Sequence, residues 1–263
     1  MSLLSIKKLS KSFGGLIAVN NLSLDIQPGE LVGLIGPNGA GKTTVFNILT
    51  GVYPPSSGEI WFQEHSLVGL KPYQITQKGI ARTFQNIRLF DNLTVLDNVR
   101  IALHSHSAYR VTSSFIRSAS FKKGENSMRR KAMEILKIFK LDDKYDEIAR
   151  NLPYGEQRRL EISRALAAQP RLLLLDEPAA GMNPQETQEL MELIRWVRNA
   201  FSLTVLLIEH DMSLVMGVCE RIYVLDYGML IAQGSPQEIK SHPRVIEAYL
   251  GEEVATVAED QQH

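Results

Sequence analysis

The segment Gly36 to Thr43 carries the clearest chemical signal in the chain. It reads Gly-Pro-Asn-Gly-Ala-Gly-Lys-Thr and fits the pattern G-x-x-x-x-G-K-[ST]. Glycines let the backbone curl so that successive N–H groups meet phosphate oxygens, and the N-terminus of a following helix adds partial positive charge. In this pattern Lys42 reaches the β- and γ-phosphates, and Thr43 offers a hydroxyl to Mg²⁺. We therefore predict a site for nucleotide phosphates formed by Gly36, Pro37, Asn38, Gly39, Ala40, Gly41, Lys42, Thr43 and Thr44.

Two adjacent carboxylates follow a second apolar run. Leu172 to Leu175 is followed directly by Asp176 and Glu177. A carboxylate at the end of a buried strand suits a Mg²⁺ bridge, as in phosphate-loop NTPases, and the next one suits a base that polarises an attacking water. The alternative for either residue is a cap on the following helix. We predict Asp176 as a metal ligand and Glu177 as a catalytic residue.

The elements around these residues predict an α/β core. Leu31 to Ile35 is apolar throughout, as a strand covered on both faces should be, and it leads directly into the glycine-rich loop. Thr43 to Leu49 favours a helix, and Leu203 to Ile208 a further buried strand. Strands that alternate with helices imply a mostly parallel sheet. Leu22 to Ile26 instead alternates apolar and polar residues, which is typical of a half-buried antiparallel strand.

The middle of the chain differs in composition. From about 86 to 150 it is rich in helix formers and predicts a helical subdomain, with an irregular segment at Ser113 to Lys123. Further along, a hairpin is expected around Tyr227 and Gly228. A short helix is expected at Arg244 to Leu250, followed by a polar tail.

The composition excludes several classes of function. In the 263 residues, 29 basic side chains balance 29 acidic ones, which argues against bulk electrostatic binding to nucleic acid or anionic lipid. The single cysteine, Cys219, excludes an internal disulfide and a multi-cysteine metal site. Apolar runs stay well short of the roughly 20 residues needed to span a bilayer, and the N-terminus lacks the pattern of a secretory signal. We expect a chain that does not cross a membrane by itself.

Together these motifs resemble the ATP-binding cassette ATPases, over about residues 4–250. The resemblance implies the α/β fold of the phosphate-loop NTPases, with an antiparallel β subdomain and an α-helical subdomain inserted at about 86–165. Residues 251–263 would form a polar tail. It also implies that two such chains close head to tail on two ATP molecules, each with Mg²⁺.

The resemblance assigns roles to three further residues. Phe13 matches the aromatic side chain that stacks on adenine, although a plain core phenylalanine is the alternative. Gln85, in Arg-Thr-Phe-Gln, matches the glutamine that links Mg²⁺ and the attacking water to the helical lobe. His210, in Ile-Glu-His-Asp, matches the switch histidine that contacts the γ-phosphate.

The segment that resembles the family's signature departs from Leu-Ser-Gly-Gly-Gln. Pro153 occupies the serine position and Tyr154 the first glycine position. Proline cannot donate a hydroxyl to the ATP held by the partner chain. The N–H of Gly155 and the N-terminus of the next helix remain available to that phosphate. In the loop after the two carboxylates, Asn183 stands where many relatives carry aspartate.

Longer strings are similar to the ATP-binding subunits of branched-chain amino acid importers. They are Phe13 to Val19, Arg82 to Phe90, Leu152 to Ile162, Leu175 to Pro184 and Ile246 to Glu252. This similarity implies ATP hydrolysis coupled to uptake of leucine, isoleucine and valine. The implied partners are two membrane permeases, a second ATPase subunit that favours a heteromeric pair and, indirectly, a solute-binding protein, with no nucleic acid.

The implied location is peripheral, at the cytoplasmic face of the inner membrane. Cousins that import urea or amides, or that extract lipopolysaccharide, share part of the similarity and remain alternatives. A soluble, non-transport cassette ATPase is disfavoured, because the chain has one cassette and no heptad run. A non-hydrolysing module is disfavoured because Glu177 and His210 are both present. The basic segment 110–131 reads as a solvated helical face or as a contact with lipid headgroups or the permease.

Overall fold

The computed structural model describes residues 2–103 and 119–249. The predicted tail at 251–263 and residues 110–118 of the basic segment lie outside the described residues. The strands are β1 Leu4–Phe13, β2 Leu16–Ile26, β3 Leu31–Ile35, β4 Ser57–Phe62, β5 His65–Ser66, β6 Ile80–Arg82, β7 Leu172–Asp176, β8 Thr204–Ile208, β9 Arg221–Asp226 and β10 Met229–Gly234. The helices are α1 Lys42–Leu49, α2 Pro72–Gln77, α3 Val95–Leu103, α4 Ala119–Ile138, α5 Tyr154–Ala167, α6 Pro184–Phe201, α7 Met212–Val218 and α8 Pro236–Lys240. Residues 149–151 form a 3₁₀ turn, and residues 243–249 are also helical.

The described residues divide into two compact units. The first contains the residues up to Ile75, Leu174–Glu177 and the residues from Arg195 onward, and the second contains Thr76–Leu173 and Pro178–Ile194.

One sheet of the first unit is antiparallel. Its strand order is β2-β1-β4-β5, with Leu4 of β1 opposite Ile26 on one side and Phe62 on the other. Leu22, Leu24 and Ile26 are buried while the residues between them are more exposed, which confirms the alternation predicted for this strand.

The larger sheet is mostly parallel, as the sequence predicts. In the first unit its strands lie in the order β10-β9-β3-β8-β7. β3 runs parallel to both β8 and β9, and every residue of β3, β7 and β8 is buried. The predicted hairpin is present, because β9 and β10 pair antiparallel around Tyr227 and Gly228. The carboxyl ends of β3 and β8 therefore lie at one edge of the sheet.

The second unit contains β6 and a helical layer. The carbonyl of Gly79, just before β6, accepts the N–H groups of Arg171 and Leu172. Helices α3, α4 and α5 pack on one another around a core that includes Val99, Leu136 and Leu160. The predicted irregular segment is helical from residue 119 onward. Among the described helices, none is both long and apolar enough to cross a bilayer.

Candidate functional site

The glycine-rich loop occupies residues 36–41, between β3 and α1. Gly41 caps the helix in the left-handed conformation, with φ 100°. The apolar side chains of α1, including Val45, Phe46 and Leu49, are fully buried and hold the helix in place. The loop therefore lies between the carboxyl end of a buried strand and a fixed helix N-terminus, which is the geometry that binds phosphate.

Two of the loop's glycines are required by close backbone approach. A Cβ at Gly36 would lie 2.0 Å from the carbonyl oxygen of Leu225, and a Cβ at Gly41 would lie 2.4 Å from that of Ala18. The N–H of Gly228 also donates to the carbonyl of Ala40 over 3.0 Å. The glycine-rich loop is thus packed closely against β9, the β9–β10 turn and β2.

This packing predicts unequal effects for two alanine substitutions in the loop. Gly39 has φ +77° with nothing within 4 Å of an added Cβ, whereas Gly41 combines φ +100° with the clash against Ala18. Left-handed backbone alone costs an alanine about 1–2 kcal/mol. We expect Gly39→Ala to lower the free energy of unfolding by that amount. Gly41→Ala should lower it by roughly 1–3 kcal/mol more, because the added methyl group overpacks against Ala18. Urea unfolding of both variants measures this difference. Equal losses of unfolding free energy would show that the backbone at Ala18 moves away from residue 41 at little cost.

The Lys42 side chain folds back over the start of the loop. Its Nζ donates to the carbonyl oxygens of Gly36 at 2.6 Å and Pro37 at 2.8 Å, and the residue is buried. The site therefore combines the Lys42 ammonium group, the glycine-rich loop and the N-terminus of α1. These groups together fit the phosphates of a nucleotide.

The two predicted carboxylates lie at the same sheet edge. The N–H of Glu177 donates to the carbonyl of Ile208 over 2.9 Å, so β7 and β8 end side by side. Asp176 is buried at 2% exposure, and the Glu177 side chain is 18% exposed. Glu177 adopts φ 45°, a left-handed conformation that is uncommon outside glycine.

His210 follows β8 and meets Glu177. Its Nδ1 lies 3.8 Å from Oε2 of Glu177 and 3.9 Å from Oε2 of Glu209. The imidazole is 65% exposed, so it can reach a ligand in front of the sheet edge. Glu209 is buried and was missed by the sequence reasoning. Its position directly after the buried strand β8, like that of Asp176 at the end of β7, is the sequence feature that could have indicated it.

Phe13 is an exposed aromatic side chain at the end of β1. It is 40% exposed, which rules out the core alternative. Its ring centroid lies 5.2 Å from that of Tyr53, edge to face, and Lys11 Nζ lies 4.8 Å from the Phe13 centroid. An exposed ring with fixed neighbours suits stacking on a base. Tyr53 is a second aromatic residue at this position. The sequence around it predicts a turn and gave no sign that its ring packs against Phe13.

The described residues offer few protein ligands for a metal. They contain no group of three or more His, Cys, Asp or Glu side chains arranged to hold an ion. Mg²⁺ typically binds through one or two protein oxygens together with substrate phosphates and waters. Thr43 and Asp176 fit that mode, since the helix start and the end of β7 supply one hydroxyl and one carboxylate.

In the second unit, the signature-like segment opens α5. Pro153 precedes the helix, and its carbonyl accepts the N–H groups of Glu156 and Gln157, each at 3.0 Å. The helix begins directly after Pro153, because proline is tolerated at a helix start. Gly155 lies in the first turn, where N–H groups have no intrahelical partner and favour an anion.

Two departures from the family pattern have structural partners in this unit. A Cβ at Gly181 would lie 3.0 Å from the ring of Tyr154, so the tyrosine covers that glycine. Asn183 forms a reciprocal cap with Glu186: Asn183 Oδ1 accepts the Glu186 N–H at 2.9 Å, and Glu186 Oε2 accepts the Asn183 N–H at 3.0 Å. This capping box starts α6.

Gln85 lies just after β6, and its side chain is exposed. The first unit thus brings together the glycine-rich loop, Asp176, Glu177 and His210, and it also holds Phe13. Gln85 and Gly155 belong to the second unit.

Comparison with known proteins adds sequence and structural relatives. The family described as ABC transporter matches residues 19–180, and the family described as Branched-chain amino acid ATP-binding cassette transporter matches residues 229–255. The chain is 49% identical over 250 residues to the high-affinity branched-chain amino acid transport ATP-binding protein LivG of Escherichia coli K12, covering 95% of this chain and 98% of LivG. It is 35% identical over 253 residues to the lipopolysaccharide export system ATP-binding protein LptB of that bacterium, covering 96% and 99%.

Two solved structures share the fold. The ADP conformation of MJ1267, an ATP-binding cassette of an ABC transporter, matches with TM-score 0.82 and 30% identity over 95% of this chain and 99% of that one. The ATP-binding cassette MJ0796, a dimer in a post-hydrolysis state with ADP and Pi, matches with TM-score 0.76 and 26% identity over 89% and 98%. The chain therefore belongs to the ABC transporter family, as one of its ATP-binding and ATP-hydrolysing cassettes.

Proposed function

We propose that this chain is the ATPase subunit of an importer for branched-chain amino acids. The observation that carries the proposal is the 49% identity to LivG across nearly the full length of both chains. The match of residues 229–255 to the branched-chain amino acid cassette family supports it independently of the catalytic motifs. Lipopolysaccharide export is the second candidate, through the 35% identity to LptB, and the difference in identity favours import.

The proposed chemistry uses groups held at one sheet edge. The loop amides, Lys42 and the N-terminus of α1 bind the ATP phosphates. Glu177 accepts a proton from the water that attacks the γ-phosphorus, and His210, 3.8 Å from Glu177, contacts the γ-phosphate. Thr43 and Asp176 would hold Mg²⁺, which would supply positive charge against the phosphates. The family resemblance assigns to Gln85 a contact with the metal and the attacking water, and to Phe13 stacking on the adenine.

The proposed assembly is a pair of cassettes on two permeases at the cytoplasmic face of the membrane. The N–H of Gly155 and the start of α5 would bind the γ-phosphate of ATP held by the partner cassette. The cassette MJ0796 is a dimer in its structure with ADP and Pi, which supports the pairing of two cassettes. ATP shifts such a pair toward closure only by as much as it binds the closed state more tightly. We propose a second, different cassette as the partner and a solute-binding protein that delivers the cargo.

The test is transport by the purified complex. We would isolate the chain from its source membranes with the proteins that accompany it and reconstitute them in vesicles that enclose ATP and Mg²⁺. Labelled leucine, isoleucine or valine should accumulate, and the accumulation should stop when Mg²⁺ is chelated. Labelled urea and a matched polar amino acid are the control solutes. Recovery with lipopolysaccharide-exporting partners, or urea uptake without leucine uptake, would overturn the assignment of substrate.

A further inference from the structure

The backbone around Gln85 is held by two side chains of α5. Arg158 Nη1 donates to the carbonyl of Phe84 at 2.6 Å, and Nη2 donates to the carbonyl of Gln85 at 2.7 Å. Glu161 Oε1 accepts the N–H groups of Phe84 at 3.3 Å and Arg88 at 3.1 Å. The two side chains are also joined to each other, over 2.9 Å. Both carbonyls and both amides belong to the segment that presents Gln85.

The pair is buried although the side chain that it supports is exposed. Arg158 is 0% exposed and Glu161 1% exposed. Desolvating two charges is costly, and a buried ion pair is often no more stabilising than apolar side chains of the same volume. The hydrogen bonds to backbone offset part of that cost, although the buried Nε of Arg158 has no hydrogen-bond partner among the described residues. An apolar replacement could fill the same space but could not bind the peptide groups of Phe84, Gln85 and Arg88.

The same guanidinium is connected to the start of the helix. Arg158 Nη2 also donates to the hydroxyl of Tyr154 at 3.2 Å, and the Tyr154 ring covers Gly181. Tyr154 precedes Gly155, the residue proposed to meet the partner's ATP. Glycine at position 154, as in the common signature, would lack this contact.

We propose that Arg158 and Glu161 are positioning residues for Gln85. They bind its backbone to α5, so that Gln85 and Gly155 keep one mutual arrangement and any displacement of the helix carries Gln85 with it. This inference rests on the proposed function, because Gln85 matters only if it serves ATP hydrolysis. Displacement of a reactive group by about 1 Å can cost roughly 100-fold in rate.

A double-mutant cycle on ATP turnover tests the positioning role in the reconstituted complex. Arg158→Lys keeps the positive charge and loses the fork that binds two carbonyls. We expect it to lower kcat about 10- to 100-fold in the wild-type background, with little change in the KM for ATP. In a Gln85→Ala background the same substitution should cost less than about twofold, because the group that it positions is already absent. Arg159→Lys is the matched control, since Arg159 pairs with Glu189 at 3.0 Å.

A second variant guards against misfolding. Arg158→Met combined with Glu161→Leu leaves no uncompensated buried charge. We expect it to fold and to show the same loss of kcat. Amide exchange should rise about tenfold at Phe84 and Arg88, one decade for each 1.4 kcal/mol of lost protection. The amide of Asn98, bonded to Thr94 at 3.0 Å within the helical layer, should exchange as in the unsubstituted chain.

Two results would overturn the inference. One is an equal loss of turnover from Arg158→Lys with and without Gln85, which would mean that Arg158 acts on stability alone. The other is unchanged exchange at Phe84 and Arg88 in the doubly substituted chain. Failure of the proposed function is seen separately, as absence of leucine uptake by the unsubstituted complex, whereas amide exchange still reports on the contacts of Arg158 and Glu161.

Discussion

Substitution of Lys42 by alanine is expected to weaken nucleotide binding strongly and to lower ATP turnover with it. The ammonium group is the one positive side chain placed within the glycine-rich loop, at 2.6 Å and 2.8 Å from the loop carbonyls. Removing a preorganised charge from a phosphate site typically lowers rates about 100- to 1,000-fold. Binding of a fluorescent ATP analogue and steady-state phosphate release measure the two effects.

The control for this substitution must separate lost chemistry from lost stability. Lys42→Ala removes the hydrogen bond that Nζ donates to the carbonyl of Gly36, whereas the carbonyl of Pro37 keeps the N–H of Ala40 at 3.2 Å. Loss of a donor to a buried carbonyl can cost about 1–3 kcal/mol. Thermal unfolding should therefore show a folded chain of somewhat lower Tm. Lys71→Ala removes an exposed lysine of the same unit and should bind ATP normally. ATP affinity at the wild-type level in Lys42→Ala would contradict the phosphate-loop assignment.

Glu177→Gln is expected to stop hydrolysis while ATP binding persists. Glutamine has the same shape as glutamate, and the bond from the backbone N–H of residue 177 to the Ile208 carbonyl is unaffected. The glutamine side chain cannot accept a proton from water. General bases contribute about 100- to 10,000-fold, so kcat should fall within that range. The affinity for ATP should stay within about twofold, because the loop and Lys42 are untouched.

The measurements for Glu177→Gln are single-turnover hydrolysis and equilibrium binding. Glu64→Gln is the matched control, since Glu64 is an exposed carboxylate in the turn between β4 and β5. Equal turnover in Glu177→Gln and the unsubstituted chain would remove Glu177 from the mechanism. A loss of ATP binding in Glu177→Gln would instead show that the carboxylate supports the bound nucleotide.

Several features could be predicted because their signals are local. A strand of apolar residues, a loop of glycines and a lysine that opens a helix are consecutive in the chain, so the pattern from Leu31 to Leu49 needed no distant contact. Asp176 and Glu177 were recognisable in the same way, at the end of a buried strand. The parallel core followed from strands that alternate with helices. Family resemblance then supplied the roles of Phe13, Gln85 and His210, which local pattern alone would not assign.

Other features were decided only by the tertiary structure. The sequence alone determined where the loop, the two carboxylates and the apolar strands before them lie along the chain. Strand order placed Leu225 against Gly36, and the 3.8 Å approach of His210 to Glu177 follows from β7 and β8 ending side by side. No pattern in the sequence indicated a role for Arg158 or Glu161, because their burial against the Gln85 backbone comes from packing between segments about 70 residues apart. Periodicity and turn chemistry act over a few residues, whereas these contacts depend on which elements become neighbours in the fold.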